Sequence, residues 1–457
     1  MVRIKLLNTL QIVILLALFS LLLLLTIYKP LGQDEGVFLT MGKFLHYGVL
    51  PYRDVFDHKP PGIYFLNYLI LGVSNNLYFI KTLYAFINLA SAILIAKIYI
   101  RVTDRTKYCY LPSIFFLILI IIFEGNYLIA EVPMILCFLL ALNLNQRLIR
   151  NYFLIGFFCS LAILFKQTAI ISSLIIIIFV VYKNRKDAIQ LISGFFLPLF
   201  LVLIYLLITQ TVNDGMDQII WRNVCCYPKE SFSSIIKYLS FYFWRILPIL
   251  ILVAIGIYFY IKKYQSLQIL LPIIMLVILP VPFFFVRHYP HYWIQILPFL
   301  AILASFSTEK LISYKSIIIR IIIGISIILM LISNFRLMSW QLIYNYIPKW
   351  QEQNQIVRYL KNNNLNQIFT ESQFSYFSLY NIQKPPTKYL YISEVNNQNG
   401  QAENETIEIL KNNKNIVVLW PENPDFAYAK ALQQYILEYY DPIKIFQHTG
   451  MIIYKAQ

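Results

Sequence analysis

Apolar runs of membrane length follow one another over the first three-quarters of the chain, at 10–28, 80–100, 109–123, 130–145, 152–165, 168–182, 189–209, 242–261, 266–286, 291–307 and 316–334. A helix rises ~1.5 Å per residue, so about 20 apolar residues cross ~30 Å of hydrocarbon. The pattern predicts an all-α polytopic membrane domain over 1–335 with about 11 spans. From 336 the pattern changes to Asn, Gln and charge, with strand-like runs "NQIFTES", "NIVVLW" and "IKIFQHTGMIIYK" and helical stretches near 349–362 and 426–439. That alternation predicts a small α/β domain over 336–457. It carries no Gly-rich phosphate loop, and no catalytic role is assigned to it.

The longest stretch between early spans, 29–79, has a pattern of its own. Val37, Phe38, Met41, Phe44 and Leu45 form one apolar stripe at helical spacing. A second short helix is expected at "IYFLNYLILG". A loop of this length is usually functional.

Composition agrees with the spans. The 457 residues are 59% hydrophobic and 13% charged, and the mean hydropathy is +0.63. Soluble domains carry roughly a quarter charged residues. The net charge of +16 would suggest nucleic acid in a soluble protein. Here the basic residues fall in alternate short loops: Arg3/Lys5, Arg101/Arg105/Lys107, Arg147/Arg150, Lys183/Arg185/Lys186, Lys262/Lys263 and Lys310/Lys315. By the positive-inside rule these loops are cytoplasmic. The first loop and the tail then share the outer face, and no nucleic-acid partner is expected. No small-x-small cleavage site follows the first run, so a retained first span is expected. Cys225 and Cys226 are adjacent in an outer loop, bonded or free, and no CxxC or Cys/His metal spacing occurs.

Candidate chemistry concentrates at the outer ends of the spans. In "DEG", Asp34 is either a helix N-cap with Glu35 favoured by the helix dipole, or a general base at the membrane boundary. "GVLPYRDVFDHKPPG" packs Arg53, Asp54, Asp57, His58 and Lys59 among three prolines that remove conformational freedom. Lys59, before two prolines, is placed to meet an anionic headgroup. Glu131 in "NYLIAEVPM" opens a span, facing headgroup water or a cavity. Lys166 in "LAILFKQTAII" either snorkels to the interface or binds a lipid phosphate. "VRHYPHYWIQILPFL" brings Arg287, His288, His291 and Tyr292 to an outer boundary. Arg287 and His291 suit a phosphate, and the two histidines lack a third metal ligand.

In this order, "DEG", "LPYRDVFDHKPPG", "AEVPM", "LAILFKQT" and "RHYPHYWIQILPFLA" resemble the bacterial family 39-like glycosyltransferases of the GT-C fold, relatives of protein O-mannosyltransferases and of the lipid A aminoarabinose transferase. The resemblance covers about 30–300, and the tail looks like the variable outer domain of such proteins. The chain has a few spans fewer than the longest members. The resemblance implies transfer of a sugar from a polyprenyl-phosphate carrier to a protein, lipid or glycan acceptor at the outer face of the cytoplasmic membrane. It implies Asp34, Glu35 and Glu131 as catalytic acids, with Asp34 deprotonating the acceptor. It implies Lys59 as the donor-phosphate cation, with Lys166 and Arg287 as further cations; His291 is a phosphate candidate by its spacing from Arg287. Tyr52, Asp57, His58 and Tyr292 are expected to shape the loop or face substrate. No cofactor and no protein metal site are assigned, and a role for a divalent cation stays open.

Direct displacement by one base would invert the anomeric centre. Three other readings compete. A transporter or flippase places its polar groups near the bilayer midplane, whereas here span centres are Ile, Leu and Phe. A lipid-linked glycan polymerase or ligase carries basic residues in a late loop. A structural membrane protein has no use for a proline-stiffened charged loop.

Overall fold

The computed structural model describes residues 2–103, 106–146, 149–183, 185–226, 231–263, 289–313, 317–370, 384–393, 395–422 and 429–457. The chain is mostly helical and divides into two compact units. One comprises 1–27, 81–200 and 229–340; the other comprises 28–80, 201–228 and 341–457.

The helices in the expected membrane region are α1 (Val2–Tyr28), α4 (Leu77–Thr103), α5 (Leu111–Ile122), α6 (Glu131–Leu144), α7 (Tyr152–Phe165), α8 (Ala169–Lys183), α9 (Ala188–Ile208), α12 (Phe232–Lys263), α13 (Leu297–Ser313) and α14 (Ile317–Gln341). Each overlaps an expected apolar run, and the run at 266–286 lies outside the described residues. Among the described residues, five helical stretches are long and apolar enough to cross a membrane: Leu7–Tyr28, Leu77–Thr103, Arg185–Ile208, Ser240–Phe259 and Ile327–Asn362. Helices suit such a region because every backbone N–H and C=O is paired within the segment. In the first unit α7 and α9 pack backbone to backbone. A methyl on Gly156 would lie 2.0 Å from the Leu191 carbonyl oxygen, and one on Gly194 would lie 1.9 Å from that of Phe153. Only glycine fits at both crossings, as at close-packed membrane helix pairs.

The second unit begins with the two short helices expected in the first loop, α2 (Gln33–Leu45) and α3 (Gly62–Val73). Val37, Phe38, Met41 and Phe44 of the α2 stripe are buried. The 201–228 stretch supplies α10 (Val212–Met216), a π turn (Asp217–Trp221) and α11 (Arg222–Cys225), where Cys225 and Cys226 are free thiols.

The tail follows with α15 (Ile347–Asn362), α16 (Gln401–Asn412), α17 (Lys430–Tyr439) and four strands, β1 (Ile368–Thr370), β2 (Val417–Pro421), β3 (Tyr440–Phe446) and β4 (Met451–Ala456). Their order is β1-β2-β4-β3; β1 and β2 are parallel and the other pairs antiparallel. The last strand-like run of the sequence is thus a hairpin, turned at Gly450 with φ 63°, where glycine costs least.

Trp420, Val418, Ile436, Leu432 and Tyr454 pack into the tail core, and Phe56 of the first loop joins them. Burying one Phe is worth roughly 1.5–3 kcal/mol. That contribution, with the Phe56 N–H donating to the Lys388 carbonyl at 2.8 Å, fastens the first loop to the tail.

Candidate active site

The start of α2 is set by Glu35. Its carboxylate accepts the Gly32 N–H at 2.7 Å and pairs with the Lys29 ammonium, and it is buried. Gly32 is the N-cap residue, and Glu35 reaches back to it from the third helical position. This satisfies one of the orphan donors of the helix start. Asp34 therefore does not cap the helix. It is a half-buried carboxylate in the first turn, where the helix dipole favours negative charge. From the tail, Gln353 clamps Leu31 just upstream: Leu31 N–H donates to Gln353 Oε1 at 3.1 Å, and Gln353 Nε2 donates to the Leu31 carbonyl at 3.0 Å.

The segment 50–61 forms a tight, buried loop around Asp57. Its carboxylate accepts the Tyr64 hydroxyl at 2.7 Å, the His58 N–H at 2.7 Å and the Tyr391 hydroxyl at 3.2 Å. Burial pushes the Asp57 carboxyl above the ordinary carboxylate range. The Lys59 ammonium and the Tyr64 hydroxyl pull the other way without winning, and the nearby Asp34 charge adds to the rise. Asp54, three residues earlier, goes the opposite way: its hydrogen bonds to Arg53 hold it below that range.

Tyr52 anchors the loop at φ 71°, a left-handed conformation that costs a side-chain-bearing residue of order 1–3 kcal/mol. It is held there by three bonds. Its N–H donates to the Val55 carbonyl at 2.7 Å, its carbonyl accepts Gln218 Nε2 at 2.7 Å, and its hydroxyl donates to the Lys59 carbonyl at 2.9 Å. Asn223 donates to the His58 carbonyl at 2.8 Å. The Lys59 ammonium lies 2.9 Å from His58 Nε2 and 5.7 Å from the centre of the Phe38 ring. The second unit thus gathers Asp34, Asp57, His58 and Lys59 around one buried loop.

The first unit holds a second polar cluster at helix ends. Glu131 opens α6 and Lys166 ends α7; both are buried and form an ion pair. The Lys166 ammonium sits 3.8 Å from the centre of the Tyr292 ring, within cation–π range. His291 places Nδ1 2.8 Å from the Glu124 carboxylate and Nε2 3.7 Å from that of Glu131. Glu124 has φ 63°, in a turn whose Gly125 carbonyl accepts Asn88 Nδ2 at 2.7 Å. Arg287 lies outside the described residues. Among the described residues, no group of three or more His, Cys, Asp or Glu side chains is placed to hold a metal ion.

The structure superimposes on the crystal structure of ArnT from Cupriavidus metallidurans bound to undecaprenyl phosphate, with a TM-score of 0.63, over 97% of this chain and 97% of that one, at 10% sequence identity. The chain has the ArnT fold. It is the GT-C membrane fold with a small C-terminal sheet, as the apolar runs and the motifs together imply. No protein-family model matches the sequence, and no curated protein matches it.

Several site neighbours escape a reading of the sequence. Tyr64 sits two residues past the "KPPG" turn and carries a weak signal by that position. Gln218, Asn223 and Tyr391 lie 161 or more residues downstream of the first-loop residues they contact, and nothing in their local sequence marks them. Glu124, in "FEGN", is a second acid close to the noticed Glu131. Lys29 reads as a membrane-edge lysine, and its pairing with Glu35 is visible only in three dimensions.

Proposed function

We propose that the protein is a membrane glycosyltransferase that moves a sugar from a polyprenyl-phosphate donor to an acceptor hydroxyl, with inversion. The observation that carries this reading is the fold shared, across nearly the whole of both chains, with an ArnT crystallised with undecaprenyl phosphate. Asp34 is the base: a half-buried carboxylate in the first turn of α2, near enough to Asp57 for its charge to act there. It takes the acceptor proton as the acceptor oxygen bonds to the anomeric carbon. The bond from that carbon to the phosphate oxygen breaks, and the polyprenyl phosphate leaves with the electron pair. Lys59 stabilises that departing charge, which is the largest electrostatic demand of the step.

Glu35 is committed to Lys29 and the Gly32 N–H, and its role is to fix the turn that carries Asp34. Tyr52, Asp57 and His58 shape the loop behind Lys59. Glu131 stays a candidate acid, and Lys166, His291 and Arg287 stay candidate cations for the donor phosphate, with the Tyr292 ring beside the Lys166 ammonium. The alternation of basic loops supports a cytoplasmic N-terminus in the inner membrane, with the first loop and tail outside.

The test is transfer of labelled sugar from membrane extracts, comparing wild type with Asp34→Asn at equal expression. Loss of transfer by about 10²- to 10⁴-fold is expected for a missing general base. The labelled product then identifies the acceptor. Undiminished transfer by Asp34→Asn would remove the base assignment and return the choice to Glu131 or to a transport role.

A further inference from the structure

Tyr391 belongs to the tail, yet its hydroxyl lies inside the first-loop cluster, 3.2 Å from Asp57 Oδ1 and 3.3 Å from His58 Nδ1. Its ring is buried, and its carbonyl accepts Asn396 Nδ2 at 2.8 Å. Asn396 in turn accepts the Ser393 N–H at 2.8 Å. The hydroxyl is therefore delivered by a fixed turn.

The protons in this cluster run in one direction. A lysine ammonium has hydrogens to give and no lone pair, so the 2.9 Å contact from Lys59 Nζ makes His58 Nε2 an acceptor. A neutral imidazole carries one proton, which then sits on Nδ1. That N–H faces two oxygens, Tyr391 Oη at 3.3 Å and Asp57 Oδ1 at 3.5 Å. The tyrosine oxygen is the nearer of the two acceptors. The tyrosine O–H donates onward to Asp57 Oδ1. The string reads Lys59 to His58 to Tyr391 to Asp57, and each group uses the end that chemistry leaves it.

We propose that Tyr391 is a positioning residue for the donor phosphate: by holding His58 in its Nδ1–H form, it keeps Nε2 as the acceptor that aims the Lys59 ammonium. In the other tautomer an N–H would point at the ammonium and push it away. The tail thereby acts on donor binding through a histidine, without touching the donor. This inference rests on the reading of Lys59 as the cation that meets the donor phosphate.

The test is binding of undecaprenyl phosphate to the purified full chain in detergent, for wild type, Lys59→Ala, Tyr391→Phe, His58→Gln and the Tyr391→Phe/His58→Gln double variant, with melting temperatures followed in parallel. Glutamine offers a carbonyl near the place of Nε2 and has no tautomer to set. Lys59→Ala should weaken binding, and Tyr391→Phe should weaken it by about 3- to 10-fold, the scale of one hydrogen bond. In the His58→Gln background the same change should alter binding by less than about twofold, since coupled residues are not additive.

Equal weakening by Tyr391→Phe in both backgrounds would reduce Tyr391 to packing and overturn the inference. So would wild-type affinity in Tyr391→Phe, which would mean that Asp57 alone holds the tautomer. Wild type that fails to bind undecaprenyl phosphate would overturn the donor reading itself, and this inference with it.

Discussion

The two polar clusters solve the problem of buried charge differently. In the first unit, Glu131 and Lys166 compensate each other as an ion pair at helix ends, and His291 Nδ1 lies 2.8 Å from the Glu124 carboxylate. In the second unit, Asp57 is surrounded mainly by neutral donors, two tyrosine hydroxyls and a backbone N–H, on a loop held by segments far away in sequence. A paired charge is stable but committed. A carboxylate held mainly by neutral donors is only partly compensated: burial raises Asp57, Lys59 lowers it and the Asp34 charge adds to the rise. The second unit uses both solutions, because Glu35 is paired with Lys29 at the start of α2.

The largest effect is expected from unpairing the first cluster. Lys166→Met or Glu131→Gln alone leaves a buried charge uncompensated and should cost about 3–5 kcal/mol. The Glu131→Gln/Lys166→Met double variant should recover most of that. Thermal unfolding in detergent of the four proteins measures both numbers. Additive losses in the double variant would show that the two residues do not depend on each other. A smaller effect is expected from Tyr64→Phe, which leaves Asp57 Oδ2 without its 2.7 Å donor. One buried acceptor left unsatisfied costs about 1–3 kcal/mol, read from the same unfolding measurement. A loss as large as that of Lys166→Met would erase the distinction between paired and neutral surroundings.

The contrast also explains what the sequence makes legible. The membrane helices follow from composition, because a span needs only length and apolarity, and the α2 stripe follows from its spacing. The Asp34, Asp57, His58 and Lys59 group was visible because its members lie within 26 positions of one another, in a proline-stiffened segment. Gln218, Asn223 and Tyr391 were not visible, since single polar residues acquire their partners only when distant segments close on the loop. Asp34 shows a finer limit. Asp is a common cap, yet here Glu35, one residue further on, reaches back to the Gly32 N–H and leaves Asp34 to other work. Propensity ranks residue types at a helix start; the buried Lys29 partner decides which carboxylate turns inward.

The smallest expected effect is the most specific. Because burial raises the Asp57 carboxyl above its ordinary range, the folded protein binds more protons than the unfolded chain between the ordinary value and the raised one. The contribution of Asp57 to stability is then fully present below the ordinary carboxylate range and is lost as pH rises through the raised value. Each pKa unit of displacement is worth about 1.4 kcal/mol. Asp57→Asn removes the titration. It also replaces an acceptor oxygen with an amide, so its stability at any one pH carries an unrelated offset, and the slope is the observable. Unfolding in detergent from the ordinary carboxylate range up to neutral pH should show Asp57→Asn gaining on wild type as pH rises. Asp34→Asn should shift that same gain to lower pH, because it removes a charge that helps raise Asp57. Parallel curves for wild type and Asp57→Asn would mean that the surrounding hydroxyls and Lys59 cancel the burial. Asp57 would then be fully compensated, and the difference between the two clusters would vanish.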